Sequence, residues 1–315
     1  MAARAGSSAV EAPAIGSGLR IGTAPDSWGV WFASHPRQTP WWRFLDEVQA
    51  AGYHWIELGP YGYLPTDPHE LADELEKRDL ALSGGFVFTG FHKNEERWRQ
   101  AYDQAFKVAA LVRELGGENL IVIPDMWRAE TDGKALEART LTPEQWADLV
   151  ERHDRLGAAL LDEYGVKQQF HPHADTHIGS YREVVRLLES TDPRYLNLCL
   201  DTGHFAYYGG DCVRLIGEHP DRIGYLHLKQ IDPELRFEVL KNDIPFADSA
   251  GDMMVEPPTG EPDFQSIIDA VAAINPGTFA IVEQDMPGVD LDLPLSIAVR
   301  TRQHIFSCTP MTRIR

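Results

Sequence analysis

Eight short apolar runs, each followed by a longer amphipathic stretch, constrain this chain more than any other feature. The runs start at Leu19 (LRIGT), His54 (HWIEL), Ala81 (ALSGGFVF), Asn119 (NLIVIP), Val166 (VKQQF), Tyr195 (YLNLCL), Ile223 (IGYLHL) and Thr278 (TFAIVE). Strand-sized segments alternating with helix-sized ones are the signature of parallel βαβ units. The intervening stretches carry helix signals. Thr142, Pro143 and Gln145 form a capping box with proline at the first helical position, and Gly165 closes that helix. Ala105, Val108, Ala109 and Val112 mark one buried helix face before Gly116-Gly117. Eight such units without an internal linker predict an α/β fold, a (β/α)8 TIM barrel spanning 19–315 as one domain. The alternative, an open doubly wound sheet, lacks a GxGxxG after its first strand. Residues 1–18, rich in Ala, Gly and Ser, read as a disordered arm without the apolar core of a signal peptide.

Composition narrows the partners. The net charge of −19 disfavours nucleic acid and anionic lipid, and no apolar run is long enough for a membrane helix. Cys199, Cys212 and Cys308 have neither disulfide-framework nor zinc spacing, which suits a reducing cytoplasm. A homo-oligomer or a partner subunit stays open.

A barrel places its chemistry at the C-terminal ends of its strands, and polar residues gather there. His171 and His173 end the fifth run, Asp201 and His204 the sixth, His227 and Lys229 the seventh, Glu283 and Asp285 the eighth. Neighbouring strand ends converge, so His171, Asp201, His227 and Glu283 are expected to surround one divalent cation. Two imidazoles and two carboxylates suit Mn²⁺ or Co²⁺, and also Fe²⁺, with positions left for substrate. Each residue has a bland alternative: Asp201 as a helix cap, His227 as a core histidine, His171 satisfying a loop. Four on consecutive strand ends outweigh those alternatives. His173, His177, His204 and Lys229 are expected on the substrate side. Glu57 reads equally as a wall carboxylate or the buried partner of a cation. Trp28, Trp31 and Trp127 offer flat apolar faces to a sugar or cyclitol ring, or else pack the barrel mouth. Three long connections, 24–39, 125–141 and 230–262, should cover this face.

IGTAPDSWGVW, FHPHADTH, LDTGH, HLK and EQD resemble the xylose-isomerase-like barrels, and within them most closely the inosose dehydratases. The resemblance covers nearly all of the chain from Arg20 to about Phe306. It implies that Asp201, His227 and Glu283 are metal ligands, matching that superfamily's strand-six Asp, strand-seven His and strand-eight Glu. His171 stands where the isomerases and epimerases carry a proton-transferring Glu, and Gln230 where HLKD is common. The implied activity is that of a metal-dependent hydro-lyase of inositol catabolism acting on a keto-cyclitol or keto-sugar such as 2-keto-myo-inositol. A cation on the ketone and its neighbouring hydroxyl would stabilise the enediolate formed by α-proton abstraction, and β-elimination follows. Glu283 is assigned as ligand and base, His173 or His204 as acid/base partner, and Lys229 as electrophile toward the oxyanion. The alternatives are a ketose isomerase or epimerase, a lyase eliminating the aglycone of a 3-keto-glycoside, and a non-enzymatic barrel subunit.

Overall fold

The computed structural model describes residues 18–129 and 132–308; the arm expected at 1–18 lies outside these residues except for Gly18. All eight apolar runs form strands. They are β1 (Arg20–Thr23), β2 (Trp55–Glu57), β3 (Ala81–Thr89), β4 (Asn119–Pro124), β5 (Lys167–Phe170), β6 (Asn197–Asp201), β7 (Ile223–Leu228) and, last in the chain, Phe279–Val282. Two further two-residue strands, β8 (Gln230–Ile231) and β9 (Met254–Val255), precede that last strand, which is therefore β10. The eight longer strands close into a parallel barrel in the order β1-β10-β7-β6-β5-β4-β3-β2. The expected TIM barrel is thus present, and the open sheet is excluded because β1 pairs with both β10 and β2.

The period-2 pleat separates two cores. Outward residues such as Leu198, Leu200 and Leu226 pack beneath the helix layer in the main apolar cluster. Inward residues Ile121, Ile123, Cys199, Tyr225 and Ile281 fill the barrel. The polar sequence of β5 obeys the same parity. Gln168 faces out and bonds His153 on the helix Pro143–Tyr164, with its Oε1 2.9 Å from His153 Nδ1. Gln169 faces in, where its amide donates to Asn119 Oδ1 at 2.9 Å.

The capping box at Thr142 is formed, and Gly165 adopts the left-handed conformation that ends the helix. The long connection 230–262 is not irregular. It holds the antiparallel β8–β9 pair and the helices Pro233–Lys241 and Phe246–Met253, whose buried faces form a small core of their own beside the mouth. Among the described residues, no helix is long and apolar enough to cross a membrane.

Candidate metal centre and active-site cavity

The inward parity of three strands delivers the polar residues to one place. Cys199 and Asp201 on β6, Tyr225 and His227 on β7, and Ile281 on β10 with Glu283 one residue beyond it alternate upward from the barrel core. Asp201 lies in register with His227, and the Glu283 amide donates to the Leu228 carbonyl at 3.1 Å. Just beyond β5, the His171 amide donates to the Val122 carbonyl at 3.0 Å, which continues the parity of Gln169. His171, Asp201, His227 and Glu283 consequently present ligand atoms that all lie within 4.8 Å of one another, and all four are buried.

Contacts within the cluster are short and bring its ligand atoms around one point. His171 Nε2 is 3.3 Å from Asp201 Oδ2, and His227 Nδ1 is 3.0 Å from Glu283 Oε2 and 3.8 Å from Asp201 Oδ2. His227 Nε2 is 2.8 Å from Glu57 Oε1. A carboxylate only accepts, so Nε2 carries a proton, and Nδ1, facing Glu283, is the ring atom left to bind a cation, the arrangement that orients metal-bound imidazoles. Asp201 has two duties: Oδ1 accepts the His204 amide at 2.7 Å and caps the helix Thr202–Tyr207, while Oδ2 is buried without a hydrogen-bond partner. His227 Nδ1 is equally unpartnered. Buried polar atoms left unpaired around one point are costly unless a cation lies between them, so these residues fit a divalent metal ion.

One built-in cation is already present. Lys229 Nζ lies 3.0 Å from Asp285, 3.1 Å from Glu283, 3.5 Å from Asp201 and 3.7 Å from Asp26. Burial opposes its charge, but Asp285, Asp201, Glu283 and Asp26 outweigh burial and hold its pKa well above the ordinary value. Burial pushes the Asp26 carboxyl well up, helped by the Glu283 charge, and burial raises Asp285 against the pull of Lys229. Burial would raise Glu283 too, yet His227 and Lys229 lower it to about 2. A single ammonium does not balance this concentration of carboxylates, which leaves room for a dication.

Two further imidazoles stand beside the cluster, their ring centroids 3.8 Å apart. His173 Nδ1 lies 2.8 Å from the Ala174 carbonyl, which can only accept, so Nε2 keeps its lone pair. Burial, with repulsion from His171 next, lowers its pKa to about 3. His204 Nδ1 accepts the Ala174 amide at 3.2 Å, and its Nε2 lies 3.4 Å from Lys229 Nζ. Burial above all, and then His173, holds it well below the usual imidazole range.

These groups form the floor of a cavity of about 530 Å³. His171, His173, His204, His227, Lys229, Glu283, Asp285, Glu57 and Trp31 all line it. Its upper walls are apolar and aromatic, including Phe32, Tyr61, Phe86, Phe88, Met126 and Phe246. Three residues expected at the substrate are elsewhere. Trp28 is fully buried against Phe44, its indole N–H donating to Glu47 Oε2 at 2.8 Å, so it packs the mouth. Trp127 stacks under the Arg128 guanidinium and lines a separate cavity of about 300 Å³. His177 lies outside the main cavity, bonded to the Arg139 carbonyl at 2.9 Å. The sequence reading overlooked Asp26, although it lies in the quoted APDSW, and Phe246, which only the folding of 230–262 brings to the site.

Comparison with known proteins agrees with this architecture. The chain is 30% identical to an inosose dehydratase of Bacillus velezensis over 62% of this chain and 63% of that protein, so this match spans under two thirds of the relative. It is 26% identical to an inosose dehydratase of Clostridium perfringens over 92% of this chain and 97% of the relative. A solved structure of an IolI protein with a bound zinc atom superposes with a TM-score of 0.71 at 15% identity, covering 93% of this chain and all of that one. The model of the xylose isomerase-like TIM barrel family matches residues 45–300, and the chain belongs to that family.

Proposed function

We propose that the protein is a divalent-metal-dependent dehydratase acting on a keto-cyclitol such as 2-keto-myo-inositol or a close keto-sugar. The observation that carries this reading is the buried cluster of His171, Asp201, His227 and Glu283, with lone pairs unpartnered, at the floor of a cavity flanked by neutral imidazoles and one ammonium. The inosose dehydratases related over most of the chain support it. A divalent cation, Mn²⁺ or Co²⁺ in this proposal, would supply Lewis-acid polarisation of a ketone oxygen.

The chain's own groups divide the remaining work. His173 presents its Nε2 lone pair to the cavity and takes the proton α to the ketone. This moves the base from Glu283, whose Oε2 is engaged by His227 and Lys229. Lys229 donates toward the oxyanion that develops on the ketone. Asp285, raised by burial and beside Lys229, hands its proton to the departing β-hydroxyl. His204, its Nδ1 accepting the Ala174 amide, turns Nε2–H toward Asp285 Oδ2 3.7 Å away and supports the His173 ring. His171 as a ligand leaves the fifth strand without the second proton-transferring carboxylate that an epimerase requires.

A second reading, elimination of the aglycone from a 3-keto-glycoside, is favoured by the walls. A cavity of about 530 Å³ matches the size that encloses drug-sized ligands, larger than one polyol ring needs, and Phe32, Tyr61, Phe86, Phe88 and Phe246 line it. Both readings are tested by incubating the metal-loaded protein with inosose, simple ketoses and 3-keto-glucosides while following unsaturated-ketone absorbance. Turnover of inosose with loss of activity on chelation is expected. Full activity after exhaustive chelation contradicts the metal reading, and aglycone release with inosose inert selects the second.

A further inference from the structure

A second convergence of ligand atoms lies outside the cavity, among the loops that follow β3, β4 and β5. His92 follows β3, Glu137 follows β4 and His177 follows β5. Both imidazoles are almost completely buried, at 2% and 4% exposure. Their rings sit edge to face with centroids 4.5 Å apart. Both Nε2 atoms aim at one oxygen, Glu137 Oε1, at 3.0 Å from His92 and 3.4 Å from His177.

The protonation pattern makes this convergence unusual. His177 Nδ1 lies 2.9 Å from the Arg139 carbonyl, which can only accept, so the ring proton sits on Nδ1. His177 Nε2 then carries a lone pair, is buried, and has no hydrogen-bond partner. It faces a carboxylate oxygen, which is also an acceptor. An imidazole anchored through Nδ1–H to a backbone carbonyl with Nε2 free is the orientation found in metal-ligating histidines. The spacing agrees: zinc bonds of ~2.0 Å in tetrahedral geometry place neighbouring ligands roughly 3.3 Å apart.

We propose that His92, Glu137 and His177 form a second divalent-metal site, a zinc site with its fourth position taken by water, that ties three loops of the catalytic face together. None of the three residues lines the substrate cavity, so the ion braces the face and takes no part in the chemistry. Lys93 is the local competitor: its Nζ lies 3.5 Å from Glu137 Oε1 but 3.0 Å from Asp125, which holds it when the ion binds. Removing that charge with Lys93→Met should tighten zinc binding on the order of tenfold.

The test is the metal content of zinc-loaded, dialysed full-length protein, compared with Glu137→Gln and His177→Gln. Each variant should hold one zinc ion fewer per chain than the starting protein, whatever the occupancy of the main cluster, and should lose part of the zinc-dependent rise in Tm. Asp201→Asn should leave the ion of the second site in place. Glu137→Gln keeps the shape of the side chain and an acceptor for His92, so it remains informative if His177→Gln fails to fold. Equal zinc content in the starting protein and Glu137→Gln would overturn the proposal, assigning a proton to the space between His177 and Glu137.

Discussion

Asp201 and His227 each serve two masters, and that is why single substitutions there are informative. Asp201 caps a helix with one oxygen and offers the other to the metal cluster, while His227 is aligned by Glu57 from behind. Asp201→Ala is expected to lose both the cap, about 1 kcal/mol, and metal binding, whereas Glu57→Gln should fold normally and weaken metal about 10–100-fold. Metal titrations with thermal melts separate the two. The proton roles divide similarly. His173→Gln should abolish solvent-deuterium exchange at the α carbon with metal content intact, and Asp285→Asn should permit exchange while slowing elimination about 10²-fold. Exchange undiminished in His173→Gln would return the base to another residue.

A buried histidine far from the cavity sets a pH dependence of stability. His153, packed between Phe91 and Phe170, is pushed down to about 4 by burial, against the hydrogen bond that its Nδ1–H donates to Gln168 Oε1. Between pH ~6.5 and ~4 the unfolded chain binds a proton that the folded chain refuses, so stability falls as pH drops through that window, by about 3 kcal/mol in all. Denaturant melts of the wild type and His153→Gln should diverge there, with the variant the flatter. The convergence of His171, Asp201, His227 and Glu283 was legible in the sequence because all four stand at the ends of strand-like runs. Trp28 was not legible in that way. An indole after the first strand suits a sugar face or a plug equally, and only the Glu47 acceptor on the following helix decides it. Trp28→Ala should therefore cost about 3–5 kcal/mol of stability and raise KM little, whereas Phe88→Ala should impair binding of an aryl keto-glycoside more than of inosose.

At the scale of elements, strands and caps were readable because each is a local pattern. The segment 230–262 was not: Pro233–Lys241 buries only Val239 and shows no stripe, and the eight-residue helix Phe246–Met253, though one-sided, is too short to stand out until it packs with Ala174 and Tyr207 around Phe246. The second histidine cluster was hidden for a related reason, since its three residues come from three loops and no spacing links them. Helix seating, by contrast, tests how closely the layers meet. Gly157 lies mid-helix in Pro143–Tyr164, where a Cβ would overlap the Tyr195 carbonyl. Gly157→Ala should gain up to about 1 kcal/mol of helix propensity yet lose more by pushing the helix off β5 and β6, a net loss of about 2 kcal/mol. A Tm equal to or above that of the wild type would show that the helix can shift without cost.

The whole molecule unites an apolar-walled cavity with a charged, cation-seeking floor. Proton abstraction next to a ketone is common to dehydration, isomerisation and aglycone elimination, so neither the fold nor solvent exchange distinguishes them. The mass of the product does. The most direct measurement is mass spectrometry of the product formed from 2-keto-myo-inositol by the Mn²⁺- or Co²⁺-loaded protein in D₂O. The expected product is lighter than substrate by one water and carries solvent deuterium on carbon. A product that keeps every oxygen of the substrate and differs only by deuterium would contradict it.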